Sequence, residues 1–213
     1  MSYPRRLLGL ALLLGACQPD RADRRDAGGQ ADRESDLQQT TAGATSVDAK
    51  LRSAMSAAPP SIAANATIMD WPTEKGGQPV QLRAGTNGWV CFPSTPAQSG
   101  GATGEDPMCL DSAFQQWATA WASRTKPNVR QVGFGYMLRG DRGVSNTDPY
   151  AAEPTADNQW VRTGPHVMMI SPDMRQLDKL PTDPKNGGPW VMWKGTPYAH
   201  AMIPIESSEG TGE

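Results

Sequence analysis

The sequence predicts an α+β domain: one mainly antiparallel sheet, a single amphipathic helix packed on one of its faces, and one disulfide. Three observations predict it. Short apolar runs bounded by Gly, Pro and Asn recur from residue 67 to residue 205. One stretch, 111–123, instead carries its apolar residues at helical spacing. Two cysteines, Cys91 and Cys109, bracket a Pro- and Gly-rich segment with little means of ordering itself.

The runs are taken in chain order. Strands are expected at 67–71, 80–84, 89–92, 132–138, 166–171, 190–193 and 199–205. Gly76-Gly77, Asn87-Gly88, Arg139-Gly140-Asp141, Gly187-Gly188 and Gly195 punctuate them. Asn87-Gly88 lies between two of these runs and predicts a hairpin. The helix begins at Asp111, a side chain suited to an N-cap, and Phe114, Trp117, Ala118, Trp121 and Ala122 form its stripe. That stripe lays two indoles on something flat, which a sheet face supplies. All seven Trp and all three Phe fall between Trp71 and Tyr198, so the core is expected within 66–205, with 206–213 as a tail.

Residues 18–65 contain no aromatic residue and mix charges of both signs from Asp20 to Asp36. Such a composition buries too little apolar surface to offset ordering entropy, which predicts a flexible tether over 17–65. Within it, 47–58 has the makings of one short helix ended by Pro59-Pro60.

The first residues indicate an address. Arg5-Arg6 precede ten residues, Leu7 to Ala16, that are all Leu, Ala or Gly. This is the layout of a signal peptide over 1–16, too short to span a bilayer. Leu14-Gly15-Ala16-Cys17 resembles the bacterial lipobox. The resemblance implies cleavage after Ala16 and a lipid on Cys17 that anchors the protein to a membrane. Gln18 in place of Asp favours the outer membrane, facing the periplasm, in a Gram-negative cell. Cys91 and Cys109 then remain as an even pair in an oxidising compartment, which a disulfide accounts for; a redox or thiolate-metal pair is the other reading, with a spacing far from Cys-x-x-Cys. The formal charge is −2, and no basic stripe with interleaved aromatics suggests nucleic acid.

The chemistry-bearing residues are few. The two His occur as His166-Val167-Met168 and His200-Ala201-Met202. On a strand, residues two apart share a face, so each His accompanies a Met. Imidazole and thioether together suit Cu(I), and adjacency of the two strands would let His166, Met168, His200 and Met202 converge on one ion. The set resembles that of periplasmic copper carriers in ligand type alone; Met108, Met137 and Met192 are further thioethers. The competing reading makes the Met core filler and His166 a hydrogen-bonded residue at the strand's rim. A catalytic reading needs His166 as general base, with a carboxylate from Asp70, Asp141, Asp148 or Asp173 and a nucleophile from Ser145 or Ser171. No Gly-x-Ser-x-Gly elbow or His-Glu-x-x-His is present. The long segment 139–163 carries Asn146, Asp148, Glu153, Asp157 and Asn158, which fit either a calcium ion or Asx turns. A ligand pocket between the long loops and the His-bearing strands would use Asn146, Asp148, His166 and Trp190.

The runs at 88–93 (Gly-Trp-Val-Cys-Phe-Pro), 106–111 (Asp-Pro-Met-Cys-Leu-Asp), 145–149 (Ser-Asn-Thr-Asp-Pro), 164–168 (Gly-Pro-His-Val-Met) and 187–193 (Gly-Gly-Pro-Trp-Val-Met-Trp) resemble a family of exported bacterial proteins. The resemblance implies one intact domain over about 66–205 and carries no activity, substrate or cofactor. The expected function is therefore a membrane-anchored envelope lipoprotein that binds a ligand or partner without catalysis. A copper(I)-binding lipoprotein and a small hydrolase-like enzyme are the alternatives.

Overall fold

The structure is a computed structural model that describes residues 46–74, 76–95 and 105–205. The expected signal peptide, Cys17, the tether up to residue 45 and the tail 206–213 lie outside the described residues. Eight strands form one sheet: β1 (Thr67–Asp70), β2 (Val80–Arg83), β3 (Val90–Phe92), β4 (Met108–Leu110), β5 (Gly133–Met137), β8 (His166–Ile170), β9 (Trp190–Met192) and β10 (His200–Pro204). Their order across it is β2-β1-β3-β4-β5-β8-β10-β9. Strands β6 (Val144–Ser145) and β7 (Trp160–Val161) pair as a separate ribbon within the 139–163 segment. All seven expected strands form, trimmed by a residue or two; β4, β6 and β7 are too short to show a period.

The sheet is mainly antiparallel, as expected, and is mixed only through one parallel pairing. β1 pairs with β2 antiparallel but with β3 parallel, Ile68 lying beside Cys91. The expected Asn87-Gly88 hairpin is absent for the same reason, since β1 sits between β2 and β3. Asn87 serves a different turn: its Oδ1 accepts from the Trp89 N–H at 3.1 Å and its Nδ2 donates to the Ile62 carbonyl at 2.8 Å.

The helix of the 111–123 stripe, α3 (Ser112–Ala122), starts as its sequence predicts. Asp111 accepts from the Phe114 N–H at 2.8 Å, and its second oxygen accepts from the Phe134 N–H of β5 at 2.7 Å. One carboxylate thus caps the helix and fixes it to the sheet. Close approach is possible because β5 presents Gly133 and Gly135 to it. A Cβ on Gly133 would meet Ala113 and the Phe114 nitrogen at 2.9 Å, and one on Gly135 would meet Met168 Cε at 2.9 Å. Phe114 and Trp117 join Leu110, Met137, Met168, Ile170, Trp190, Met192 and Met202 in the main core.

The opposite face is covered too, which corrects both the tether boundary and the helix on one face alone. A helix over 46–55 (α1) and a short one, α2 (Pro60–Ala63), pack on β1, β3 and β4. Ala54 and Ala57 are 0 % exposed against Ile68, Cys91 and Cys109. Alternation in β4 places Cys109 on this face and Leu110 on the α3 face. Segment 46–65 is thus built into the fold, although it has no aromatic residue. Its alanines bring the helix backbone close to the sheet, and small area at close contact replaces large side chains. Backbone and charged bonds fix it: the Leu138 N–H donates to the Ala57 carbonyl at 3.0 Å, and Lys50 pairs with Asp70 at 2.6 Å. Farther along the same face, Leu177 of a 3-10 helix (Met174–Lys179) packs on Val191, Ala199 and Ala201.

Cys91 and Cys109 are bonded as a disulfide between directly paired positions of β3 and β4, with Cα atoms 4.0 Å apart. No helix among the described residues is long and apolar enough to cross a membrane.

Candidate functional site

β8 and β10 are neighbours, antiparallel, with Met168 opposite Met202 and His166 opposite Pro204. His166, Met168 and Ile170 therefore share the α3 face with His200 and Met202. The two thioethers meet as a cross-strand pair. The two His do not converge: four residues of register separate them, which strand spacing converts to about 14 Å between Cα atoms. Both rings are tied back along their own chains through Nδ1. His166 Nδ1 lies 2.7 Å from the Gly164 carbonyl and His200 Nδ1 3.0 Å from the Tyr198 carbonyl, each two residues back along its own chain.

Each His is the first residue of its strand, but neither is exposed there. His166 is 0 % and His200 2 % exposed. A carbonyl accepts only, so each ring carries its proton on Nδ1 and a lone pair on Nε2. Burial pushes the His166 pKa below the usual range, partly opposed by the Gly164 bond and the charge of Asp141. Burial pushes His200 down to about 4, opposed by the Tyr198 carbonyl and reinforced by His166. Both are neutral at pH 7. His166 Nε2 has no hydrogen-bond partner, a condition it shares among the described residues with Thr163 Oγ1 and Trp117 Nε1.

His200 is enclosed by rings, edge-on to Trp193 at 4.9 Å and Trp117 at 5.3 Å. These indoles belong to a ladder. Trp117 stacks on Trp193 (6.0 Å), Trp193 on Trp121 (5.9 Å) and Trp121 on Tyr150 (6.3 Å), with the Arg124 guanidinium 4.1 Å from the Tyr150 ring centre. The i, i+4 pair Trp117 and Trp121 was legible as two indoles on a flat surface; the surface is a third indole slotted between them. Trp193 holds φ at +57°, unusual for a bulky residue. Its N–H donates to the Asn146 carbonyl at 2.9 Å and its Nε1 to the Ser145 carbonyl at 2.7 Å, so its surroundings over-determine the strained conformation.

Two members of the expected ligand quartet, Asn146 and Trp190, bond to each other. Asn146 is 2 % exposed; its Oδ1 accepts from Trp190 Nε1 at 3.2 Å and its Nδ2 donates to the Thr182 carbonyl at 2.9 Å. Trp190 is equally buried, and Asp148 accepts from the Tyr150 N–H at 2.8 Å in an exposed turn. Asn146 and Trp190 thereby knit the 139–163 segment to β9. Asn158 donates to the Glu153 carbonyl at 2.7 Å and accepts from the Thr155 N–H at 3.0 Å. Among the described residues no three His, Cys, Asp or Glu side chains cluster to hold a metal, and of the expected calcium set Asp148 and Asn158 bond within their own turns.

The catalytic candidates are also spent internally. Ser145 Oγ donates to the Asn158 carbonyl at 2.7 Å and accepts from the Asp148 N–H at 2.8 Å. Ser171 Oγ faces Gln176 at 3.3 Å. Asp141 accepts from the Gly143 and Thr163 N–H groups, and Asp173 is held below the usual carboxylate range by Arg175.

A concavity that reaches solvent lies between the outer side of α3 and segment 123–131. Gln116, Thr119, Ser123, Lys126, Asn128 and Arg130 line it, and at one end it deepens into a recess of about 180 Å³ beside Ala113 and Val129. Its charged lining residues are cations, with no carboxylate between them. The sequence marked this region only as the polar side of the predicted helix. In comparisons with known proteins, no family model, curated protein or solved structure matches this chain.

Proposed function

We propose that the protein is a lipid-anchored module of the bacterial cell envelope that binds an anionic ligand without transforming it. Residues 46–205 would form one domain, with α3 as its amphipathic helix, held to the membrane through lipid on Cys17 by the segment that follows the signal peptide. The apolar run ending in Leu14-Gly15-Ala16-Cys17 and the disulfide in the structure support that address.

The groove along α3 carries the binding reading. It is open to solvent, lined by hydrogen-bonding side chains, and bears Lys126 and Arg130 in a chain whose net charge is −2. A local cationic strip on an acidic protein concentrates anions where the rest of the surface repels them. The binding-only part of the reading is supported by the histidines: each is buried, with Nδ1 committed to a backbone carbonyl, and neither is hydrogen-bonded to a carboxylate.

Thermal-shift measurements with inorganic polyphosphate, acidic oligosaccharides and their neutral counterparts test it. Anions should raise the melting temperature in a salt-dependent way, and Lys126→Glu with Arg130→Glu should abolish the rise. A ligand at a hundred times its Kd stabilises the fold by about 2.7 kcal/mol, well within detection. No stabilisation, or equal stabilisation of the double variant, would sink the groove as the binding site. Mass spectrometry of the membrane-extracted protein, with Cys17→Ser as control, tests the anchor independently.

A further inference from the structure

We propose that the sheet around His166 is a site for a soft monovalent metal ion, Cu(I), with His166 Nε2 and the thioethers of Met137, Met168 and Met202 as donors. The site is independent of the groove along α3 and goes beyond the binding function assigned to it.

The nitrogen comes first. His166 is 0 % exposed, and Nε2 carries a lone pair with no partner. Leaving such an atom unpaired in a core is unfavourable, and a hydrophobic residue of similar size would avoid it, so packing alone does not account for an imidazole here. The other nitrogen is fixed by the Gly164 carbonyl at 2.7 Å. That arrangement, one nitrogen donating to a carbonyl while the other presents its lone pair, is the orientation that prepares histidine as a metal ligand. Burial keeps the ring neutral, so no proton competes for Nε2.

The sulfurs surround it by register. Met137 of β5 stands directly opposite His166, Met168 follows two residues along β8, and Met202 of β10 stands opposite Met168. All four side chains share one face, and direct and diagonal cross-strand neighbours on a face lie within reach of long side chains. Met137, Met168 and Met202 are 7 %, 9 % and 2 % exposed and belong to one core cluster. Gly135, paired with Leu110 on one side and Met168 on the other, leaves the space into which Met168 Cε extends.

The donor set selects the ion. A neutral imidazole with thioethers supplies no negative charge, which divalent oxygen-seeking cations require; soft sulfur with nitrogen suits Cu(I). His200 takes no part, because its ring is tied to the Tyr198 carbonyl and packed against the indoles. The approach is short: Gly164, two residues from His166, is exposed.

The test uses the full chain carrying Cys17→Ser, so that no thiol outside the disulfide takes the metal. Ag(I) serves as the first probe because it needs no reductant that would open Cys91–Cys109. The chain has only two histidines, so 15N spectra of the imidazoles report each separately. One equivalent of Ag(I) should move the His166 Nε2 resonance and leave His200 in place, and Cu(I) should compete for the same equivalent. Met137→Leu and Met168→Leu, which conserve volume and fold, should each weaken binding about tenfold or more. Metal uptake without movement of His166 Nε2, undiminished binding by both Leu variants, or no uptake at one equivalent would each overturn the site.

Discussion

Acidification should destabilise this protein through its buried histidines. His200 titrates near 4 in the folded chain, against an ordinary value of about 6.5 once unfolded. Between those values the unfolded chain binds the proton and the folded one does not, so stability falls as pH falls. The contribution is whole above about pH 6.5 and is lost progressively as pH drops toward 4. From pH 7.5 to pH 5 the linkage relation gives a loss of about 2 kcal/mol for His200 alone. His166, lowered by burial as well, acts in the same direction. Urea denaturation at a series of pH values, comparing the protein with His200→Gln, isolates the effect, since surface carboxylates contribute equally to both. The denaturation midpoint of the parent should fall more steeply below pH 6.5 than that of the variant. The imidazole resonances of the folded protein should meanwhile show no titration of His200 above about pH 5. Parallel pH profiles for the two proteins, or a His200 that titrates near 6.5 while folded, would refute the reasoning.

Other perturbations have equally definite outcomes. Asp111→Ala removes both the cap of α3 and its bond to β5, and should lower unfolding free energy by about 1–2 kcal/mol in urea. Gly135→Ala drives a methyl into Met168 and Leu110 and should cost about 1–3 kcal/mol, with recovery when combined with Met168→Ala. Ala54→Leu overfills the contact of α1 with the disulfide face and should destabilise by a similar 1–3 kcal/mol; a neutral result would mean that 46–55 does not pack on the sheet.

Much of the sheet was legible because its strands alternate or carry β-branched and aromatic residues between Gly and Pro turns. The cap at Asp111 was legible because it is local, one side chain and one amide three residues on. What escaped depends on distant partners. Nothing near Asn87-Gly88 reveals that β1 has already taken the place beside β3, so a sound turn signal predicted the wrong pairing. The alanines of 46–65 carry no stripe of large side chains, and an argument from aromatic content missed that small residues pack by proximity. The His-x-Met spacing correctly placed each pair on one face, but it could not tell a buried strand end from an exposed one. For Asn146 and Trp190, polarity suggested a ligand where each group has the other as its partner.

The disulfide lies at a particular seam. Strand order places β2, β1 and β3 on one side of it and β4, β5, β8, β10 and β9 on the other. Every residue before Cys91 in the sheet therefore belongs to one side and every residue after Cys109 to the other, and the bridge joins them across adjacent strands. A protease that cuts the chain between the two cysteines would make two polypeptides but leave one molecule, its fragments still sharing a sheet and a covalent bond. Only scission together with reduction would part them, so one nick in that stretch of chain would not by itself release a fragment into the surroundings.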